Sequence, residues 1–106
     1  MITYQNSKNT GLTAETEISI DSTGRNTSTE FQVTIIPSAG ATGTVTPTVK
    51  ARGGSSFESI TDNGIAISVN LASPLTFRVF GMIDSIKLTP ATLVGSFDVV
   101  ITGFGG

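Results

Sequence analysis

Apolar and polar residues alternate along most of this chain, and the alternation is broken at short intervals by Gly, Pro, Asp or Asn. In FQVTII, Phe31, Val33 and Ile35 fall on one side and Gln32 and Thr34 on the other. In FDVVIT, Phe97, Val99 and Ile101 oppose Asp98 and Thr102. TVTPTVKA sets Val45, Pro47, Val49 and Ala51 against Thr44, Thr46, Thr48 and Lys50. ETEISI sets Thr16, Ile18 and Ile20 against Glu15, Glu17 and Ser19, and LTFRVF sets Leu75, Phe77 and Val79 against Thr76, Arg78 and Phe80. A period of two is that of a strand with one face in a core and one in water. No window carries the 3.6-residue period of an amphipathic helix.

The breaks are turn chemistry. TDNG, with Asn63 or Gly64 able to take positive φ, marks a hairpin into IAISV, where Ile65, Ile67 and Val69 should face inward. Ile2 to Tyr4 and Phe57 to Ile60 read as further short strands. Pro47 has no N–H for a ladder and demands a sheet edge or a bulge. From Asp84 to Gly103 two alternating runs flank Pro90 and Gly95, which reads as a closing hairpin.

Strand-like runs at spacings of about 8–12 residues predict an all-β fold, an antiparallel two-sheet β-sandwich of about eight strands with jelly-roll or Greek-key connections. Ile18, Phe31, Val33, Val49, Ile67, Phe77, Val79, Leu88, Phe97, Val99 and Ile101 are the expected core. At 106 residues there is chain for one core. The expected organisation is an N-terminal arm or short first strand over residues 1–10, a single sandwich over 11–103 and a Gly-rich tail over 104–106.

Composition narrows the function classes. Charged residues are 13% of the chain, about half the usual share of roughly 25%. Net charge is −2, and Lys8, Arg25, Lys50, Arg52, Arg78 and Lys87 are scattered, which argues against a polyanion partner such as nucleic acid. The absence of Cys removes disulfides and thiolate metal sites and favours folding in a reducing cytoplasm. The polar start MITYQNSKNT lacks the basic and apolar regions of a signal peptide. No run approaches the ~18 apolar residues of a membrane span. With Met at one end and a Gly-rich tail at the other, the sequence reads as a complete small gene product.

Chemistry-bearing groups are few. There is no His, the commonest general base and metal ligand. Ser85 and Lys87 lie two apart on one strand face, the spacing of a conceivable Ser–Lys dyad. Exposed polar strand positions explain them as well. Glu15 and Glu17 could sit about 7 Å apart, within the range of glycosidase carboxylates, but no Trp accompanies them as a sugar platform. DSTG and TDNG each offer one carboxylate, too few for calcium. Asn26–Thr27–Ser28 matches a glycosylation sequon, relevant only in a secretory protein, and GFGG lacks the strand and helix of a phosphate cradle. The expectation is a non-enzyme with no cofactor and no bound metal. What remains is surface. Phe80 and Val100 have the parity of a wet face, Phe104 follows them, and Ile2 and Tyr4 alternate with Thr3 as an added strand would. These five are the candidate partner contacts.

The order FESITDNG, LTFRVFG, SIKLTP and FDVVITG, from Phe57 to Gly103, resembles the C-terminal half of small β-sandwich structural proteins of tailed bacteriophages. In these a strand ending in Gly precedes an I-x-L-T-P-like run and a final strand ending in Thr-Gly. The group includes capsid decoration proteins, also called cement or staple proteins, which bind outside the shell and strengthen it. The resemblance implies a virion structural protein on the capsid surface, with the major capsid protein as partner and no catalytic residues to assign. With the poorly guarded edge holding Pro47, a homo-dimer or trimer is expected, with no nucleic acid and no membrane as partners. The alternatives are another virion module (tail, spike or head fibre) or a carbohydrate-binding or adhesion domain.

Overall fold

The computed structural model describes residues 3–19, 30–62, 64–80 and 83–105. The long strands are β1 (Thr3–Leu12), β2 (Thr16–Ser19), β3 (Glu30–Pro37), β4 (Thr42–Ala51), β9 (Leu75–Phe80), β10 (Ile83–Val94) and β11 (Phe97–Gly105). Between β4 and β9 lie four two-residue strands, β5 (Glu58–Ser59), β6 (Thr61–Asp62), β7 (Ile65–Ala66) and β8 (Val69–Asn70). One sheet has the order β1-β11-β3-β9 and the other β2-β10-β4, with β5 and β8 both on the outer flank of β4. All pairs are antiparallel. Successive long strands change sheet, which gives the β-sandwich a jelly-roll order.

The alternation fills the space between the sheets as expected. Ile18, Phe31, Val33, Phe77, Val79, Leu88, Phe97, Val99 and Ile101 are buried, joined by Ile35, Val45, Ile86 and Leu71. Val49 and Ile67 are only partly buried at the margin of this core.

The stretch 84–103 is not a hairpin. Strand β10 lies between β2 and β4 in one sheet, while β11 lies between β1 and β3 in the other. Its joint is a corner that carries the chain across the sandwich. Gly95 turns there at φ +87°. The Ser38 N–H donates to the Ser96 carbonyl at 2.9 Å, and the Ser96 N–H donates to Ser38 Oγ at 3.1 Å. That second crossover, between β3 and β4, is thus stitched to the first. Strand β10 also runs on through Pro90, because β2 stops pairing at Leu88 and leaves one flank of β10 open.

Pro47 lies within a partly covered edge. On the outer flank of β4, β5 pairs Thr48 and Val49 and β8 pairs Thr44 and Val45, which leaves a notch at Thr46–Pro47. The segment between β5 and β8 loops out, and its base closes where the Ile67 N–H donates to the Ile60 carbonyl at 2.8 Å. The expected hairpin is in this excursion, as β6 paired with β7, with Gly64 at φ +80° just before β7; Asn63 lies outside the described residues. Ile65 is 72% exposed there, against the inward position expected of it, because β7 pairs only with β6 and never joins the sandwich.

Of the arm or short first strand expected over residues 1–10, the described residues form a strand. β1 runs past residue 10 to Leu12 and pairs along β11, and β11 continues past Gly103 to Gly105. A bulge falls between Asn9 and Leu12, with Gly11 at φ +65° and its N–H donating to Asp98 Oδ1 at 2.9 Å.

One close approach depends on a glycine. Gly43 has φ +108°, and a Cβ there would stand 2.7 Å from the Thr92 carbonyl oxygen and 2.8 Å from that of Ala91. Gly43→Ala is therefore expected to cost roughly 2–4 kcal/mol, from backbone strain and a collision with main chain that cannot swing aside; a denaturant titration reads it. Thr92 itself is held at φ +51°, an unfavourable region for a β-branched residue. Thr92→Gly should stabilise by about 0.5–1 kcal/mol, the relief of that strain less the entropy glycine loses on folding. An unchanged melting midpoint would count against strain at this corner.

Candidate contact surface

The outer face of the four-stranded sheet is built in rows by its register. Tyr4 pairs with Phe104, Phe104 with Glu30, and Glu30 with Phe80. Three of the candidate contacts thus share one cross-strand row, although they come from both ends and the middle of the sequence. With strands about 4.8 Å apart, four positions span about 14 Å. The next row is Asn6, Thr102, Gln32 and Arg78, and the third is Lys8, Val100, Thr34 and Thr76. Val100 is thus two rows from the aromatic one and half-buried. Ile2 lies outside the described residues.

The described side chains of the first row are an aromatic ring and a carboxylate. Phe80 is 71% exposed. Glu30 reaches the Arg78 guanidinium at 3.8 Å, a surface ion pair worth about 0–1 kcal/mol. Thr34 and Thr76 share a hydrogen bond at 3.0 Å between their hydroxyls. Around the open edge of β9, Thr76, Phe77, Arg78 and Phe80 line a groove of about 360 Å³, faced by Thr61 and Ile67 of the excursion. Glu30 and the groove were not legible in the sequence. Glu30 looks like an ordinary polar strand end, and the groove exists only where β9 meets the excursion.

The second sheet has a different outer surface. Lys87 Nζ sits 4.3 Å from the Phe57 ring centroid and Lys50 Nζ 5.5 Å from it. This is a pair of cation–π contacts on one ring. The register sets Lys50 opposite Ser85, and Lys87 opposite Glu17 and Thr48. Ser85 is buried, and no hydrogen bond joins it to Lys87 among the described residues. The Thr89 hydroxyl donates to Glu15 Oε2 at 3.2 Å. DSTG and the sequon at Asn26 lie outside the described residues. No helix of the described residues is long and apolar enough to cross a membrane.

No family model and no curated protein sequence matches this chain. Solved structures do. The SPBc2 prophage-derived protein YomS superposes with a TM-score of 0.70 at 10% identity, over 99% of this chain and 96% of that one. A subunit from Bacillus endospore appendages, described as a family of disulfide-linked pili, superposes with a TM-score of 0.54 at 19% identity, over 99% and 89%. This chain has no Cys, so the disulfide linkage named for those pili has no counterpart in its residues. At these identities what is shared is the fold, and the chain is a jelly-roll β-sandwich similar over its whole length to a prophage-derived protein.

Proposed function

We propose that this chain is a structural protein of a phage particle, and specifically a decoration protein that binds the outside of the capsid and strengthens it. The observation that carries the phage reading is the end-to-end likeness to YomS, a prophage-derived protein. The aromatic row supports the binding role. Phe80 is presented on a sheet face beside the Glu30–Arg78 ion pair, with Gln32, Thr34 and Thr76 beyond, as suits a contact made mainly by apolar area. The partner is the major capsid protein, and many copies on one shell multiply a modest single-site affinity.

The test is co-sedimentation with purified shells. The protein should pellet with capsids and raise the temperature at which they rupture. Pelleting should change little between low and moderate salt, because few ion pairs are available to be screened. Phe80→Ser should weaken binding at least about fivefold while its melting midpoint stays near that of the parent, since the side chain is solvent-exposed. Protein left in the supernatant, or released by moderate salt, overturns the reading. A second reading, a fibre or tail module, is favoured by the likeness to a pilus subunit. Recovery in purified tails rather than in heads would select it.

A further inference from the structure

Among the described residues the sheets end at β1 and β9 and at β2 and the two-residue β5 and β8, and these edges are not equally guarded. β2 is four residues long with Glu17 within it and Glu15 just before it. β1 is mostly polar between Tyr4 and Leu12 and carries Lys8. β9, LTFRVF, has one charge, Arg78, already engaged by Glu30, and no proline. Its ends expose apolar surface, with Leu75 at 41% and Phe80 at 71%. A charge-poor apolar edge is a template for another strand.

We propose that β9 pairs with β9 of a second copy across a two-fold axis, joining two four-stranded sheets into one of eight strands. The inference does not rest on the virion reading. A two-fold axis makes the junction antiparallel, as every other pair in this sheet is. Parity then restricts the register, since a one-residue slip sets core side chains against solvent-facing ones. Two even registers keep most of the strand paired. One centres on Arg78 and stacks it on its own copy, which like-charge repulsion disfavours. The other centres on Phe77.

In that register Arg78 faces Thr76 of the second copy, and Leu75 faces the second copy's Val79. Phe77 meets its own copy, and Phe80 lies across from the second copy's Pro74, a residue with no N–H to leave unpaired. The inner layer then runs unbroken from Val33 through both Phe77 residues to the second copy's Val33, and the exposed flank of Leu75 is covered. The groove lies along the side of β9 at which the second copy's strand docks.

The Cys-free chain makes the register directly readable. Opposed positions are about 4.5–5.5 Å apart at Cα, within disulfide reach, whereas Arg78 to the second copy's Arg78 is about 8 Å, beyond the limit of about 7 Å. Light scattering over a dilution series should show a reversible monomer–dimer equilibrium. Mild oxidation of the double variant Thr76→Cys, Arg78→Cys should trap that dimer covalently, and Arg78→Cys alone should not. Thr76→Lys, which sets like charges across the axis twice, should weaken the dimer about fivefold, and Thr76→Glu should tighten it by a similar factor. A monomer at every concentration, a trimer, a dimer that the double variant fails to trap, or trapping by Arg78→Cys alone would each overturn the proposal.

Discussion

Phe97→Ala lowers the unfolding free energy by about 3–5 kcal/mol. Phe97 is fully buried, and its place explains why the loss is at the full value. It is the first residue of β11, next to the corner, and is paired on one side with Leu12 and on the other with Pro37. The crossover stitched by Ser38 and Ser96 lies beside it. Little of this can collapse into a vacated ring, so the cavity term adds to the transfer term. A domain of this size has roughly 5–15 kcal/mol in all, and the thermal midpoint should fall by about 15–25 °C. Phe77→Ala should cost less, toward the lower end of the same range, because β9 is an edge strand and Phe77 lines the groove. Equal losses at the two positions, or a negligible loss at Phe97, would contradict this picture of the core.

Deletion of residues 1–9 destabilises the domain, with a fall in the thermal midpoint of more than about 10 °C or loss of a cooperative melt. From the sequence these residues read as an N-terminal arm or a short first strand, with Ile2 and Tyr4 alternating with Thr3 as an added strand would. In the structure Thr3 to Asn9 pair one to one with Gly105 to Val99. Removing them strips one flank of β11, whose Phe97, Val99 and Ile101 are at the centre of the core. Each lost main-chain bond carries about 0.5–1.5 kcal/mol net, so the loss of a ladder outweighs that of any single side chain outside the core. An unchanged melt of the truncated protein would mean that β1 contributes little to the fold and is available to a neighbour. A lowered one means that β1 is an integral strand of the sheet rather than a free arm.

The strands and their buried faces were legible in the residues because both are local properties. Side chains alternate with a period of two whatever the neighbour, and Phe31, Val33, Phe97, Val99 and Ile101 declare their shared parity without reference to the rest of the chain. Where the reading failed, the pattern was the same for two geometries. Alternation on both sides of Gly95 is what a hairpin requires and equally what a corner between two sheets requires. Ile65 alternates properly with Ile67, yet burial is decided by whether the strand joins the sandwich, and β7 does not.

The contact surface divides along the same line. From its parity alone, Phe80 belongs on a wet face, and from composition alone such a face is poor in charge. That Tyr4, Phe104 and Phe80 share a row, and that Lys50, Lys87 and Phe57 meet on the opposite sheet, was decided by strand order, which sets residues far apart in sequence about 5 Å apart in space. Any antiparallel strand with an apolar face can hydrogen-bond to any other, since backbone N–H and C=O groups carry no sequence label. The partner of each strand is therefore selected only when all inner faces are packed at once, and the surface rows follow from that selection.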